Sequence, residues 1–108
     1  MAKKITITNA FSINMLSSMT SDVSFTEISL TKAKQLAFEG STSAIGHADM
    51  AIVFGNLLDK ELPVNRTSIA MYRGDEILVG QYSGPRLPEG ATTLPEGAAI
   101  RWVVVRVM

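Results

Sequence analysis

His47 is the chain's single histidine and stands directly after Gly46. The most regular amphipathic stretch follows it, with Met50, Val53, Phe54, Leu57 and Leu58 at helical spacing. A helix N-terminus presents backbone N–H groups that favour an anion such as phosphate, and Gly46 lets a ligand or the backbone approach closely. An imidazole placed there can serve as general acid or base near neutral pH. The competing reading is a surface or capping histidine. Arg86 and Glu89 form a second candidate pair, in Gly84-Pro85-Arg86-Leu87-Pro88-Glu89-Gly90. A guanidinium grips phosphate bidentately, and a carboxylate takes a proton or a hydrogen bond from a ribose hydroxyl. A solvated ion pair is the plainer use of the same two residues. Arg66, after Pro63-Val64-Asn65, is either a phosphate contact or an exposed strand-end residue. Asn9, Ser12 and Asn14 offer short polar side chains that hold a phosphate or ribose, or cap a turn.

Composition narrows the chemistry. The 108 residues carry ten cationic and ten anionic side chains, a formal charge of zero. Binding long nucleic acid by electrostatics alone needs many phosphate contacts and is not expected, whereas a small anionic ligand held by two or three arginines is compatible. With no cysteine, thiolate catalysis, disulfides and cysteine-based metal sites are excluded. A single histidine excludes a multi-histidine metal centre, and no cofactor is expected. No P-loop, dinucleotide fingerprint or nucleophile elbow is present. Met1-Ala2-Lys3-Lys4 runs into a short alternating stretch unlike a secretion signal, and no apolar run spans a bilayer. A cytoplasmic protein without membrane contact is the expectation.

The elements that must position these groups are short. Alternation over 3–8 predicts a strand, and the following residues a loop with one helical turn. A second strand is expected near 22–27 and a helix over 30–38, with Ser29 as N-cap and Gly40 as stop. A short extended run covers 43–46, and a helix covers 48–59 with Asp49 in its first turn. Thr67–Tyr72 and Glu76–Tyr82, joined by Arg73-Gly74-Asp75, read as a hairpin. Residues 83–97 hold three of the four prolines and three of the eight glycines, which marks a long loop of the kind that is either functional or disordered. Ile100–Val107 closes the chain as a strand whose Val103-Val104-Val105 run predicts burial on both faces. The result is one small α+β (mixed α/β) domain over 1–108, a mixed sheet of about five strands flanked by helices.

The motifs, taken in order, resemble a known family. Thr8-Asn9-Ala10-Phe11-Ser12-Ile13-Asn14-Met15-Leu16, Ala44-Ile45-Gly46-His47, Asn65-Arg66, Gly74-Asp75-Glu76 and Arg86-Leu87-Pro88-Glu89-Gly90 look like the viral anti-CRISPR ring nucleases that act against type III CRISPR defence. Pro85 and Ala48-Asp49 depart from that pattern without replacing a residue given a role. The resemblance implies a homodimer that binds cyclic tetra-adenylate across its axis and cuts it without metal to linear di-adenylate. It makes His47 the general acid, puts Arg86 and Glu89 in the active-site loop, and has Ser12, Asn14 and Arg66 help hold the ligand. Asn9 and Gly46 complete the expected binding set. RNA supplies its own nucleophile, the 2′-hydroxyl, so the enzyme must add in-line geometry, charge stabilisation and a proton for the leaving oxygen. A module of viral or mobile-element origin that binds a nucleotide or regulates a partner without cutting is the alternative. A DNA-binding regulator is disfavoured by the zero net charge.

Overall fold

The computed structural model describes residues 4–108. Five strands form one mixed sheet: β1 (Ile5–Thr8), β2 (Val23–Ile28), β3 (Ser41–Ser43), β4 (Glu76–Ser83) and β5 (Ala99–Val107). Their spatial order is β2-β5-β4-β1-β3. β1 runs parallel to both neighbours, β3 and β4, whereas β5 is antiparallel to β4 and β2. The carboxyl ends of β1, β3 and β4 therefore lie along one edge of the sheet.

Two helices, α1 (Leu30–Glu39) and α2 (Ala48–Leu58), cover one face. Ser29 starts α1 as expected, its hydroxyl accepting from the Lys32 N–H at 3.1 Å. Ala33 and Ala37 of α1 and Ala51, Phe54 and Leu58 of α2 meet Ile7, Ile45, Leu78 and Trp102 in the main core. Small residues on α1, and a glycine beneath the large ring on α2, let both helices lie close to the strands. The ring of Phe54 packs edge-on to Trp102, centroids 5.1 Å apart, directly over Gly80. A methyl group on Gly80 would lie 2.5 Å from Phe54 Cζ and 2.8 Å from Trp102 Cζ3. This close approach sets the distance between α2 and the sheet.

The opposite face is covered by chain segments without regular structure. Met71, Ile77, Val79, Val105 and Val107 form a second core, joined by Phe11, Met15, Leu16 and Ile69. The valine run of β5 serves both cores: Val104 packs under the helices, Val103 and Val105 against the second cluster.

The hairpin expected over Thr67–Tyr72 and Glu76–Tyr82 does not form. Residues 67–72 make only an isolated bridge, Leu16 to Met71. Arg73-Gly74-Asp75 is a turn, with the Asp75 N–H donating to the Tyr72 carbonyl at 2.9 Å. That turn docks on the end of β5, where the Gly74 N–H donates to the Val107 carbonyl at 2.7 Å. The reason is geometric: both edges of β4 are taken, by β1 and β5, so its upstream neighbour has no ladder to join. Ile69 and Met71 bury their side chains in the second core instead. The true hairpin is β4–β5, closed by the long loop 84–98.

Smaller shifts separate expectation from structure. β3 begins at Ser41 rather than 43, because the chain turns at Gly40 directly onto the edge of β1; the Ile5 N–H donates to the Gly40 carbonyl at 3.0 Å. The first strand is shorter than 3–8, and Lys3 lies outside the described residues, as do Met1 and Ala2. α2 ends at Leu58, with Asp59 in the left-handed conformation as its cap. Among the described residues no helix is long and apolar enough to cross a membrane.

Candidate functional site

Three segments far apart in sequence meet where the parallel strands end. Asn9 follows β1, His47 to Met50 follow the connection from β3, and Arg86 to Glu89 belong to the loop after β4. Together they line one cleft of about 950 Å³. Open sheets place ligands at such carboxyl ends, where connections diverge to either side of a central strand. Here β1 is that strand, with β3 on one side and β4 on the other.

His47 is the N-cap residue of α2, with extended backbone at φ −122° and ψ 125°. Its carbonyl accepts the first helical bond, from the Ala51 N–H at 3.0 Å. Its imidazole makes no capping bond, so the capping reading of this histidine does not describe the structure. The N–H groups of Ala48, Asp49 and Met50 precede that first helical bond, and all three residues line the cleft. The positive end of the helix and an exposed imidazole thus share one wall.

Arg66 flanks this wall although it does not line the cleft. Its side chain lies across Gly46, where a methyl group would come within 3.3 Å of Arg66 Cβ and 3.4 Å of Nε. Asn65 fixes it there. The Asn65 N–H donates to the Ile45 carbonyl at 2.9 Å, and its Nδ2 to the Ser43 carbonyl at 2.8 Å. Two bonds from one residue staple the 63–66 segment to the strand-to-helix connection.

The loop that carries Arg86 and Glu89 is pinched at its base. Gly84, at φ 126°, abuts the 97–98 segment so closely that a Cβ would sit 2.7 Å from Ala98 Cα. The Tyr82 hydroxyl donates to the Pro85 carbonyl just beyond. Both Leu-Pro-Glu-Gly repeats form the same turn: the Ala91 N–H donates to the Pro88 carbonyl and the Ala98 N–H to that of Pro95, each at 3.1 Å. Only the first carries the arginine and faces the cleft. Arg86 and Glu89 are exposed and make no ion pair with each other among the described contacts, unlike the plain ion-pair reading.

Of the expected site residues, the fold brings Asn9, His47, Arg86 and Glu89 into one cleft and sets Gly46 and Arg66 beside it. Ser12 and Asn14 lie on the 3-10 turn Ile13–Met15, outside the cleft, and Ser12 Oγ accepts the Asn14 N–H at 3.2 Å as a local cap. Asn65 staples the connection before α2, a role that no pattern around it in the sequence marks. Among the described residues no cluster of three or more His, Asp or Glu side chains could hold a metal ion.

No curated protein matches the sequence. Among solved structures, the chain is similar to B116 of Sulfolobus turreted icosahedral virus. The identity is 26%, the TM-score 0.78, and the match covers 96% of this chain and 99% of that one. The family described as STIV B116-like matches residues 5–99, nearly the whole described domain. The chain therefore belongs to the STIV B116-like family.

Proposed function

We propose that the protein is a metal-independent ring nuclease that cleaves cyclic tetra-adenylate to linear di-adenylate and so shuts off type III CRISPR signalling. Its family membership and its likeness to a viral structure fit a virus-derived protein. The observation that carries the reading is the convergence of Asn9, His47, Arg86 and Glu89 on one cleft beside the α2 N-terminus. These are an acid–base group, a phosphate-gripping cation, a carboxylate and an amide, collected from three segments. The ribose 2′-hydroxyl attacks the adjacent phosphorus, the bond from phosphorus to the 5′-oxygen breaks, and protonated His47 supplies the leaving oxygen's proton. Glu89 is the carboxylate at hand to take the 2′-hydroxyl proton. Arg86 and the helix N-terminus face the charge that develops on phosphate.

In this reading the active unit is a homodimer, for a cyclic tetranucleotide presents two opposite phosphodiesters to two copies of His47. The sheet face turned away from the helices supports it. Beside the second core, Phe11, Phe25 and Val103 line a trough there together with Gln81 and Arg101, and Phe25 is 61% exposed. Exposed aromatic surface rimmed by polar side chains, as at Phe25 beside Gln81 and Arg101, suits a partner surface. Incubation with cyclic adenylates of different ring size, in EDTA, tests the activity; sedimentation at micromolar concentration tests the assembly. Di-adenylate appearing only from the tetramer ring is the expected result. Binding without cleavage would favour the non-catalytic module, and activity that needs an added divalent ion would overturn the mechanism.

A further inference from the structure

The loop that carries Arg86 and Glu89 is fastened to α2 at two points. The Gly90 N–H donates to Asp49 Oδ2 at 3.2 Å, and Asn56 Nδ2 donates to the Thr92 carbonyl at 2.6 Å. The partners are 41 and 36 residues apart in sequence, so neither bond follows from local turn chemistry. Asp49 and Asn56 are two helical turns apart and thus share one face of α2. The first bond acts on the peptide that joins Glu89 to Gly90, next to the proposed catalytic carboxylate and in the wall of the same cleft. We propose that Asp49 is a positioning residue that holds Glu89 and Arg86 over the cleft through the Gly90 N–H, with Asn56 anchoring the outer half of the loop. The proposal rests on the reading of this cleft as the phosphodiester site.

A carboxylate in a first helical turn also complements the helix dipole, and that simpler role makes a different forecast. For the dipole, Asp49→Asn and Asp49→Ala both lose the charge and behave alike. For the tether, Asp49→Asn keeps an oxygen that accepts the Gly90 N–H and restores what Asp49→Ala loses.

Trypsin reads the loop directly, because Arg86-Leu87 is a cleavable bond within it. The full chain without ligand is digested, and the fragment ending at Arg86 is quantified by mass spectrometry. Thermal melts confirm that each variant is folded. Losing one tether hydrogen bond should speed nicking by roughly two- to tenfold in Asp49→Ala and Asn56→Ala, with Asp49→Asn near the wild-type rate. Single-turnover cleavage of cyclic tetra-adenylate should fall in Asp49→Ala by more than its affinity does, and recover in Asp49→Asn. Wild-type nicking in Asp49→Ala, or no recovery in Asp49→Asn, overturns the proposal. Should Asp49→Ala not fold, Asn56→Ala and Asp49→Asn still decide it. If the wild type cleaves no cyclic adenylate, the ring-nuclease reading fails by itself, and the nicking rates still decide whether the tether exists.

Discussion

Gly80→Ala probes the contact that sets α2 on the sheet. The backbone of Gly80 is ordinary strand, so alanine meets no torsional obstacle and by itself should stabilise by about 0.4–1 kcal/mol through the unfolded chain. Packing overrides that gain. The added methyl would lie 2.5 and 2.6 Å from two atoms of the Phe54 ring and 2.8 Å from Trp102, about an ångström inside ordinary carbon–carbon contact. Neither ring has room to yield: Phe54 is fully buried and Trp102 is 4% exposed. Overpacking of this kind costs about 1–3 kcal/mol, and two confined rings place the change at the upper end. In a domain of this size that lowers Tm by roughly 5–20 °C. Thermal and urea unfolding measure it, and a double-mutant cycle with Phe54→Leu isolates the clash. The pair should be less destabilised than the sum of the single variants by about 0.5–3 kcal/mol, because leucine withdraws the ring edge that the methyl strikes. A Gly80→Ala protein within about 0.5 kcal/mol of wild type, or a strictly additive cycle, would refute the claim that this contact spaces the helix.

His47→Ala should slow single-turnover cleavage of cyclic tetra-adenylate by about 10²–10⁴-fold while ligand binding persists. A variant that binds poorly yet cleaves at the normal rate would make His47 a binding residue. Arg86→Ala should lower turnover and Arg86→Lys restore only part, since lysine lacks the planar fork; full activity in Arg86→Ala would remove the phosphate role. On the sheet face turned away from the helices, Arg101 donates two 3.0 Å hydrogen bonds to Glu27, linking β5 to β2 and holding the carboxyl below its ordinary value of 4.5. A lowered carboxylate pKa stabilises the fold above the ordinary value, and that contribution is lost as pH falls through the lowered one. The Tm gap between wild type and Glu27→Gln should therefore be small near neutral pH, shrink with added salt, and close in acid below 4.5. A gap that widens on acidification would contradict the assignment.

Much of the candidate site was legible in the residues because its parts have local signatures. The apolar spacing of Met50 to Leu58 locates α2 and hence puts His47 at its start, which the structure bears out. The glycines and prolines of 83–97 mark the long loop with Arg86 and Glu89. Ser29 and Gly40 bound α1 because capping is decided by neighbours within one turn. Asn9 was placed by its motif alone, yet it reaches the cleft because β1 ends there. Ser12 and Asn14 carried the same motif signal, and their 3-10 turn lies outside that cleft.

What periodicity left open is pairing between distant segments. Residues 67–72 have the alternation of a strand, but strandhood needs a free edge, and β1 and β5 occupy both edges of β4. The partners of Asp49, Asn56 and Asn65 lie some twenty to forty residues away and are polar groups of the backbone, which every residue possesses and no pattern marks. Gly80 reads as a weak point in a strand until two rings from α2 and β5 are seen to meet above it. Residue type and spacing determined the helices, caps, loop and chemical inventory of this protein, since those depend on interactions within a turn or two. Only the tertiary structure decided which edge each strand took and which groups share a cleft, because those depend on contacts made once the sheet has closed around β1.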